Sequence, residues 1–118
     1  MHETALMANI LSIATENLKG YNIEKVNSVS LKVGRLANVL NDALEFAFES
    51  QSASGLFKGA RLDIEIMPII ACCENCGEEF QSMDIPPLCP LCGSNEVKIT
   101  GGTEVFIDSV DVTEEEKS

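Results

Sequence analysis

The chain has 118 residues, with 19 acidic and 8 basic side chains and a formal net charge of -11. This length allows one modest core and is too short for a barrel enzyme or a two-halved dinucleotide-binding fold. No apolar run approaches the roughly 18 residues that suggest a membrane-spanning helix. The first residues also lack the basic and apolar segments of a signal peptide, so we expect a cytoplasmic protein.

The negative charge is concentrated in the second half of the chain. Residues 1–70 contain 6 basic and 8 acidic side chains, whereas residues 71–118 contain 2 basic and 11 acidic ones. All five cysteines also lie in this acidic half. A nucleic-acid interface needs basic side chains that displace counterions from the phosphates. The cysteine-rich half is therefore predicted to bind neither nucleic acid nor anionic lipid.

The chain begins with a predicted helix and a predicted strand. Residues 4–19 carry apolar side chains at helical intervals, and Gly20 is suited to end the helix. Residues 27–33 alternate between apolar and polar side chains, which is typical of a half-buried strand. The predicted inward residues are Met7, Ile10, Leu11, Ala14 and Leu18, flanked by Leu6 and Ile13, in the helix, and Val29, Leu31 and Val33 in the strand.

A second helix and a second strand follow in the same way. Asn41 is predicted to cap the helix, which ends before Gly55. Residues 61–67 alternate again, and Pro68 ends this strand. The predicted inward residues are Leu40, Leu44, Ala47 and Phe48 in the helix and Leu62, Ile64 and Ile66 in the strand.

Four of the cysteines form two matching motifs. Cys73 and Cys76 are separated by two residues, as are Cys89 and Cys92, and a glycine follows each pair. Two residues between thiols let one tight turn place both sulfurs on one ion, and two such turns complete a tetrahedral site of four thiolates. This pattern predicts a structural zinc ion, on which the folding of a module of this size depends.

The alternatives to structural zinc are a rubredoxin-like iron site and a thiol-redox motif. A redox motif needs no second matched pair, and thiolates bound to zinc are not free nucleophiles. We find no other catalytic constellation in the sequence, so we predict that the protein is not an enzyme. The fifth cysteine, Cys72, is interpreted as a spectator beside the first motif.

Two strands alone make a marginal sheet, so we expect a third strand after the cysteine module. Residues 104–112 provide one. The prediction is an α+β fold with a small three-stranded sheet and two helices, plus an inserted zinc-ribbon-like domain built on the four paired cysteines. The predicted order is helix, strand, helix, strand, zinc module, strand. The predicted domains are residues 1–70 with 101–118, and residues 71–100.

The amino terminus offers a second group of metal donors. His2 is the only histidine of the chain. The terminal amine, the backbone nitrogen of His2 and its imidazole can all reach one ion, and Glu3 adds a backbone nitrogen and a carboxylate. Nitrogen donors in a flat array suit nickel(II) or copper(II). A bulky second residue hinders the removal of Met1, so the amine is expected to be that of Met1. The alternative is a terminal residue without a role.

Several segments of the chain match the pattern of one known family. They are Met1-His2-Glu3, Val33-Gly34-Arg35-Leu36, Ala43-Leu44-Glu45-Phe46-Ala47-Phe48-Glu49, Gly59-Ala60-Arg61-Leu62-Asp63-Ile64, the four paired cysteines with Cys89-Pro90-Leu91-Cys92-Gly93, and Ile107-Asp108-Ser109-Val110-Asp111-Val112. With these segments the chain resembles, over essentially its whole length, the HypA/HybF family of hydrogenase nickel-incorporation proteins.

The resemblance implies a nickel metallochaperone. It implies that Met1, His2 and Glu3 bind Ni(II) as cargo for the assembly of the NiFe hydrogenase active site, and that the zinc is structural. The implied partners are the GTPase HypB and the hydrogenase large subunit. We expect the chain itself to be a monomer or weak homodimer. Some relatives also serve urease maturation.

One position departs from part of the family. Some members carry a further histidine near the zinc module that can join the nickel site, whereas position 98 here is lysine. The fourth nickel donor is therefore left open. The competing function is a zinc-ribbon adaptor between proteins that transfers no nickel.

The nickel affinity is expected to fall as the pH drops from mildly alkaline to mildly acidic. The amine and the imidazole must lose their protons to bind, and their unperturbed pKa values are about 7.7–8.0 and about 6.5. Nickel titrations of the chain with its authentic terminus, repeated over this pH range, measure the effect. An unchanged affinity would exclude both groups as ligands.

Overall fold

A computed structural model describes the backbone of residues 2–115 and the side chains of residues 3–115. The elements are α1 (His2–Leu18), β1 (Ile23–Gly34), α2 (Asn41–Gln51), a short 3-10 helix (Gly55–Phe57), β2 (Arg61–Met67), β3 (Ile69–Cys73), β4 (Glu79–Ser82), β5 (Val97–Gly101) and β6 (Val105–Glu114). None of the described helices is long and apolar enough to cross a membrane.

The chain divides into two compact units. The first unit is Met1–Leu31, Val39–Glu65 and Phe106–Ser118, and the second is Lys32–Asn38 and Ile66–Val105. Two three-stranded sheets are present, with strand orders β2-β1-β6 and β4-β3-β5. The predicted fold class, with the cysteine module inserted before the last strand of the first sheet, is confirmed. The domain boundaries at residues 70 and 100 stay a prediction.

Helix α1 packs one apolar stripe into the core of the first unit. It begins at His2, two residues earlier than predicted, and ends at Leu18, just before Gly20. Ile13 is 46% exposed, so the buried stripe is narrower than the predicted one. The buried residues are Met7, Ile10, Leu11 and Ala14, all of them predicted.

Helix α2 differs from the prediction at its start. Asn41 is the first helical residue, and Leu40 occupies the cap position without a side-chain cap. The extended backbone of Leu40 lets its carbonyl accept the Leu44 N–H at 3.0 Å, which begins the helical bonding. The predicted capping by Asn41 and inward position of Leu40 are therefore wrong, since the Leu40 side chain is 70% exposed. Leu44, Ala47 and Phe48 are buried as predicted.

Strand position decides how deeply the alternating residues of the first sheet are buried. In the central strand β1 the predicted residues are buried, and Val26 and Ser28 are buried as well. The buried positions of β1 are therefore even-numbered at Val26 and Ser28 and odd-numbered from Val29 to Val33, so burial does not follow one alternation along the whole strand. In the edge strand β2, Leu62, Ile64 and Ile66 are only half-buried, because an edge strand has a neighbour on one side only.

The second sheet forms part of a very small core. β3 pairs antiparallel with β4, where Ile69 lies opposite Ser82, and with β5, where Cys73 lies opposite Val97. Leu36, Val97 and Ile99 pack against the buried cluster. The five buried residues of this cluster are Ile69, Ala71, Cys73, Phe80 and Cys89. Such a core buries too little apolar surface to fold without a further constraint.

Two glycines allow a close backbone crossing within the second unit. The Gly34 N–H donates to the Glu104 carbonyl and the Leu36 N–H donates to the Gly102 carbonyl, both at 2.8 Å. A Cβ on Gly34 would lie 2.3 Å from the carbonyl carbon and oxygen of Gly102. Gly102 itself has a φ of +91°, and a Cβ there would lie 2.7 Å from the Pro68 carbonyl oxygen. No residue with a side chain fits at this crossing.

Gly34→Ala is expected to destabilise the protein by about 3 kcal/mol, the upper end of the usual cost of overpacking, because backbone atoms must move to relieve the clash. Gly20→Ala is the control for a glycine without a steric limit: its Cβ would meet nothing within 4 Å, and the left-handed strain at its φ of +94° costs about 1–2 kcal/mol. Urea unfolding of the zinc-loaded protein compares the two variants. Equal unfolding midpoints would show that the crossing imposes no steric limit.

Candidate metal centre

The two cysteine motifs, which we call the first knuckle (residues 73–78) and the second knuckle (residues 89–94), bring four sulfurs together. The Sγ atoms of Cys73, Cys76, Cys89 and Cys92 all lie within 4.8 Å of one another. The Cys73–Cys92 and Cys76–Cys89 sulfur pairs are each 3.6 Å apart. Tetrahedral zinc with Zn–S bonds of about 2.3 Å requires sulfurs about 3.8 Å apart. The donor set therefore fits a metal ion such as zinc.

Both knuckles use the same backbone hydrogen bonds. In each, the N–H of the first cysteine donates to the carbonyl five residues later, and the glycine N–H donates back to that cysteine's carbonyl. The four bonds run from Cys73 to Glu78, from Gly77 to Cys73, from Cys89 to Ser94 and from Gly93 to Cys89, at 2.8, 2.8, 3.0 and 2.8 Å. Gly77 and Gly93 have φ values of +81° and +74°, which residues with a Cβ rarely adopt.

The site joins the interior of the module to its surface. Cys73 and Cys89, the first residue of each knuckle, are buried in the core of the second unit, whereas Cys76 and Cys92 are exposed. Each knuckle thus anchors one sulfur in the core and turns the other towards solvent. An ion held by all four would tie the two turns together.

Asn75 contributes a hydrogen bond to the cysteine site and was not among the site residues predicted from the sequence. Its side-chain amide lies in the first knuckle and donates to the Cys92 Sγ of the second at 3.6 Å. Together with the backbone N–H of Ser94, it lowers the pKa of Cys92 to about 6. Hydrogen bonds of this kind orient ligands and stabilise their charged form. The one signal in the sequence that could have indicated this role is that Asn75, a residue with an amide that can donate, directly precedes Cys76.

The pKa of Cys76 is shifted in the opposite direction, upwards. The backbone N–H of Glu78 lowers its pKa, but hydrogen bonds with the other thiols, Cys89 first, and desolvation raise it to about 12. Four sulfurs this close cannot all be thiolates without a cation between them. A divalent ion removes this repulsion and is expected to release protons when it binds.

Cys72 stands apart from the cluster. Its half-buried thiol lies 3.8 Å from the Gly77 carbonyl oxygen and 3.9 Å from that of Cys73. The four converging sulfurs found in the described part of the chain come from the other cysteines.

The predicted nickel ligands lie at the boundary of the described residues. Met1 and the side chain of His2 are outside them, so their part in nickel binding stays a prediction. Glu3 is half-buried, and its Oε2 accepts a hydrogen bond from the Leu40 N–H at 3.2 Å. Within the first unit, this bond links the first turn of α1 to the start of α2.

Comparison with known proteins identifies the family. A family model described as hydrogenase/urease nickel incorporation, metallochaperone, HypA, matches residues 1–112. The chain belongs to the HypA family. HypA is a metallochaperone family for nickel incorporation, and the resemblance stated from the sequence is confirmed.

Relatives in this family align with this chain over nearly the full length of both proteins. A hydrogenase maturation factor HypA of Moorella thermoacetica is 39% identical over 108 residues, which cover 92% of this chain and 96% of that protein. One from Desulfitobacterium hafniense is 35% identical over 114 residues, covering 97% and 100%. The solution structure of the Ni metallochaperone HypA from Helicobacter pylori superposes with a TM-score of 0.70 at 26% identity, covering 98% and 100% of the two chains.

Asn75→Ala is expected to weaken zinc binding by about 10-fold or more, because Cys92 loses the hydrogen bond that stabilises its thiolate. Competition with a chromophoric zinc chelator measures the affinity. Asn95→Ala is the control, since Asn95 is exposed and only its backbone carbonyl takes part in a hydrogen bond among those found here. If both variants weaken zinc equally, the Asn75–Cys92 hydrogen bond is not the cause.

Proposed function

We propose that the protein is a cytoplasmic nickel metallochaperone. It binds Ni(II) at its amino terminus through Met1, His2 and Glu3 and delivers the ion for assembly of the NiFe hydrogenase active site. The observation that carries the proposal is the nickel-incorporation family match over residues 1–112, which includes this terminus. Hydrogenase is preferred to urease because the relatives described above are named hydrogenase maturation factors.

The start of α1 supports a terminal metal site. The first four N–H groups of an α-helix have no acceptor within the helix. A helix that begins at His2 therefore leaves the backbone nitrogens of His2 and Glu3 outside its own hydrogen bonding. The Glu3 carboxylate accepts a hydrogen bond from the Leu40 N–H, and its other lone pairs can still bind an ion, so the backbone nitrogen and the carboxylate of Glu3 both stay candidate donors.

The four paired cysteines are proposed to hold structural zinc. Sulfur distances, matching knuckles and the small core of the second unit all support an ion that completes folding. Four thiolates around one zinc leave no coordination position for water or substrate. The zinc would therefore cross-link the knuckles and perform no chemistry.

Release of the cargo requires a different kind of site from the zinc centre. Amine, amide and imidazole nitrogens at a chain terminus can be exchanged one at a time. The four thiolates, of which those of Cys73 and Cys89 are buried and those of Cys76 and Cys92 exposed, complete the coordination shell of their ion. We propose that the GTPase HypB and the hydrogenase large subunit take part in this transfer and that any nucleotide hydrolysis belongs to HypB. The chain itself is proposed to turn over no substrate.

Nickel titration tests the proposal. His2→Ala and a chain extended by an amino-terminal tag are each expected to bind nickel at least about 10-fold more weakly than the authentic chain, because a ligand is removed or the amine is blocked. Thr4→Ala, which changes an exposed neighbouring side chain, is the control. Calorimetry measures the affinity, and elemental analysis checks for one zinc per chain in every variant.

Equal nickel affinity in all four proteins would contradict a terminal site. With zinc retained, that result would favour the alternative function, a zinc-ribbon adaptor between proteins that transfers no nickel.

A further inference from the structure

We propose that the second unit carries a docking surface centred on residues 83–91, which we call the apolar loop. Its occupant is a protein whose contact surface has an apolar cleft bordered by Lys and Arg. The docking surface itself is argued from the second unit alone. The inference rests on the proposed function in one respect, which is the choice of the two proteins used as probes in its test.

The apolar loop exposes several large apolar side chains in a short stretch. Met83 is 47% exposed, Ile85 55%, Leu88 51% and Leu91 72%. Single exposed apolar residues are ordinary, whereas four within nine residues concentrate exposed apolar area in one short segment, which is the feature from which we infer an interaction site. Pro87 and Cys89 in the same stretch are buried, so the loop is anchored and still turns its apolar side chains outward.

The two knuckles differ in surface chemistry although their backbones are alike. Between its cysteines the first knuckle carries Glu74 and Asn75, and the second carries Pro90 and Leu91, all four exposed. The first knuckle shows that this turn accommodates polar residues at both positions. Holding a metal ion therefore does not require an exposed leucine, and Leu91 needs another explanation.

Hydrogen bonds fix the apolar loop where it leaves β4. The Arg35 Nε donates to the Met83 carbonyl at 3.0 Å, and the Asp84 N–H donates to the Ser82 Oγ at 3.0 Å. At the other end Cys89 sits in the core. A surface that is already ordered loses little conformational entropy when a partner binds.

The surrounding charge selects the partner. Residues 71–100 contain Lys98 as their one basic residue, against Glu74, Glu78, Glu79, Asp84 and Glu96, and Arg35, which bonds the Met83 carbonyl, is a second cation beside the loop. Four thiolates on one divalent ion add further negative charge. An apolar centre in an acidic surround complements an apolar cleft with a basic border. Like charge disfavours an anionic membrane, and a second copy of this chain, with its net charge of -11, is disfavoured for the same reason.

Binding measurements with the full zinc-loaded chain test the docking surface. The probes are purified HypB and the purified precursor of the hydrogenase large subunit, followed by fluorescence anisotropy at low and at moderate salt. Leu91→Asn gives the second knuckle the residue that the first carries at the same place. Leu88→Asn is a second variant outside the knuckle, and Phe46→Asn, which replaces a 74% exposed side chain of α2, is the matched control.

We expect at least one probe to bind the wild-type chain. Leu91→Asn and Leu88→Asn should each weaken that binding by about 10-fold, which is typical of an interface anchor. Phe46→Asn should leave the affinity within about 2-fold, as expected away from an interface. Moderate salt should weaken the wild-type complex, because charge complementarity contributes. Zinc content near one per chain establishes that the knuckles of Leu91→Asn and Leu88→Asn are folded.

Other results would overturn the inference. If folded Leu91→Asn and Leu88→Asn chains bind like the wild type, the apolar loop is not the docking surface, while nickel delivery is untouched. If neither probe binds the wild type, both this inference and the proposed partners fail, and the nickel titration still decides the terminal site. Leu91-dependent binding to anionic phospholipid vesicles, or Leu91-dependent dimers in sedimentation, would replace the protein partner by a membrane or a second copy.

Discussion

The convergence of four sulfurs is the constraint on which the second unit depends. Two of the five residues in its buried cluster, Cys73 and Cys89, are themselves members of the cysteine site. The core and the cysteine site therefore overlap, and an ion bound there would compensate for apolar area that a module of this size cannot bury. The paired strands β3, β4 and β5 support the first knuckle, while the second is held chiefly by its own backbone bonds and by Cys89.

The proposed function uses two metal sites of opposite character. Thiolates in a closed tetrahedron suit an ion that stays, and nitrogen donors at a chain terminus suit an ion that leaves. In the proposed function the two donor sets come from different parts of the sequence, residues 1–3 and residues 73–92. The proposed docking role of the apolar loop fits this function, because a protein that delivers an ion must also recognise a receiver.

Much of the fold and the cysteine site could be predicted because they depend on local pattern. The buried stripe of α1, the inward residues Val29, Leu31 and Val33, and the break at Pro68 follow from periodicity and backbone chemistry. The start of α2 could not be predicted in this way. Asn41 is a good capping residue, but the extended backbone of Leu40 shifts the helix start by one position, and the cap side chain is then absent.

The sequence by itself determined the order of the two helices and of the strands of the first sheet, the four cysteines that converge, and the family, since spacing along the chain decides which residues share a turn or a face. Only the tertiary structure decided which strand is central, that Leu36 packs on the cysteine module, and that Asn75 reaches Cys92. It also decided that Leu91 stays exposed. The physical reason is that periodicity identifies a face, whereas contacts between distant segments determine what, if anything, covers it.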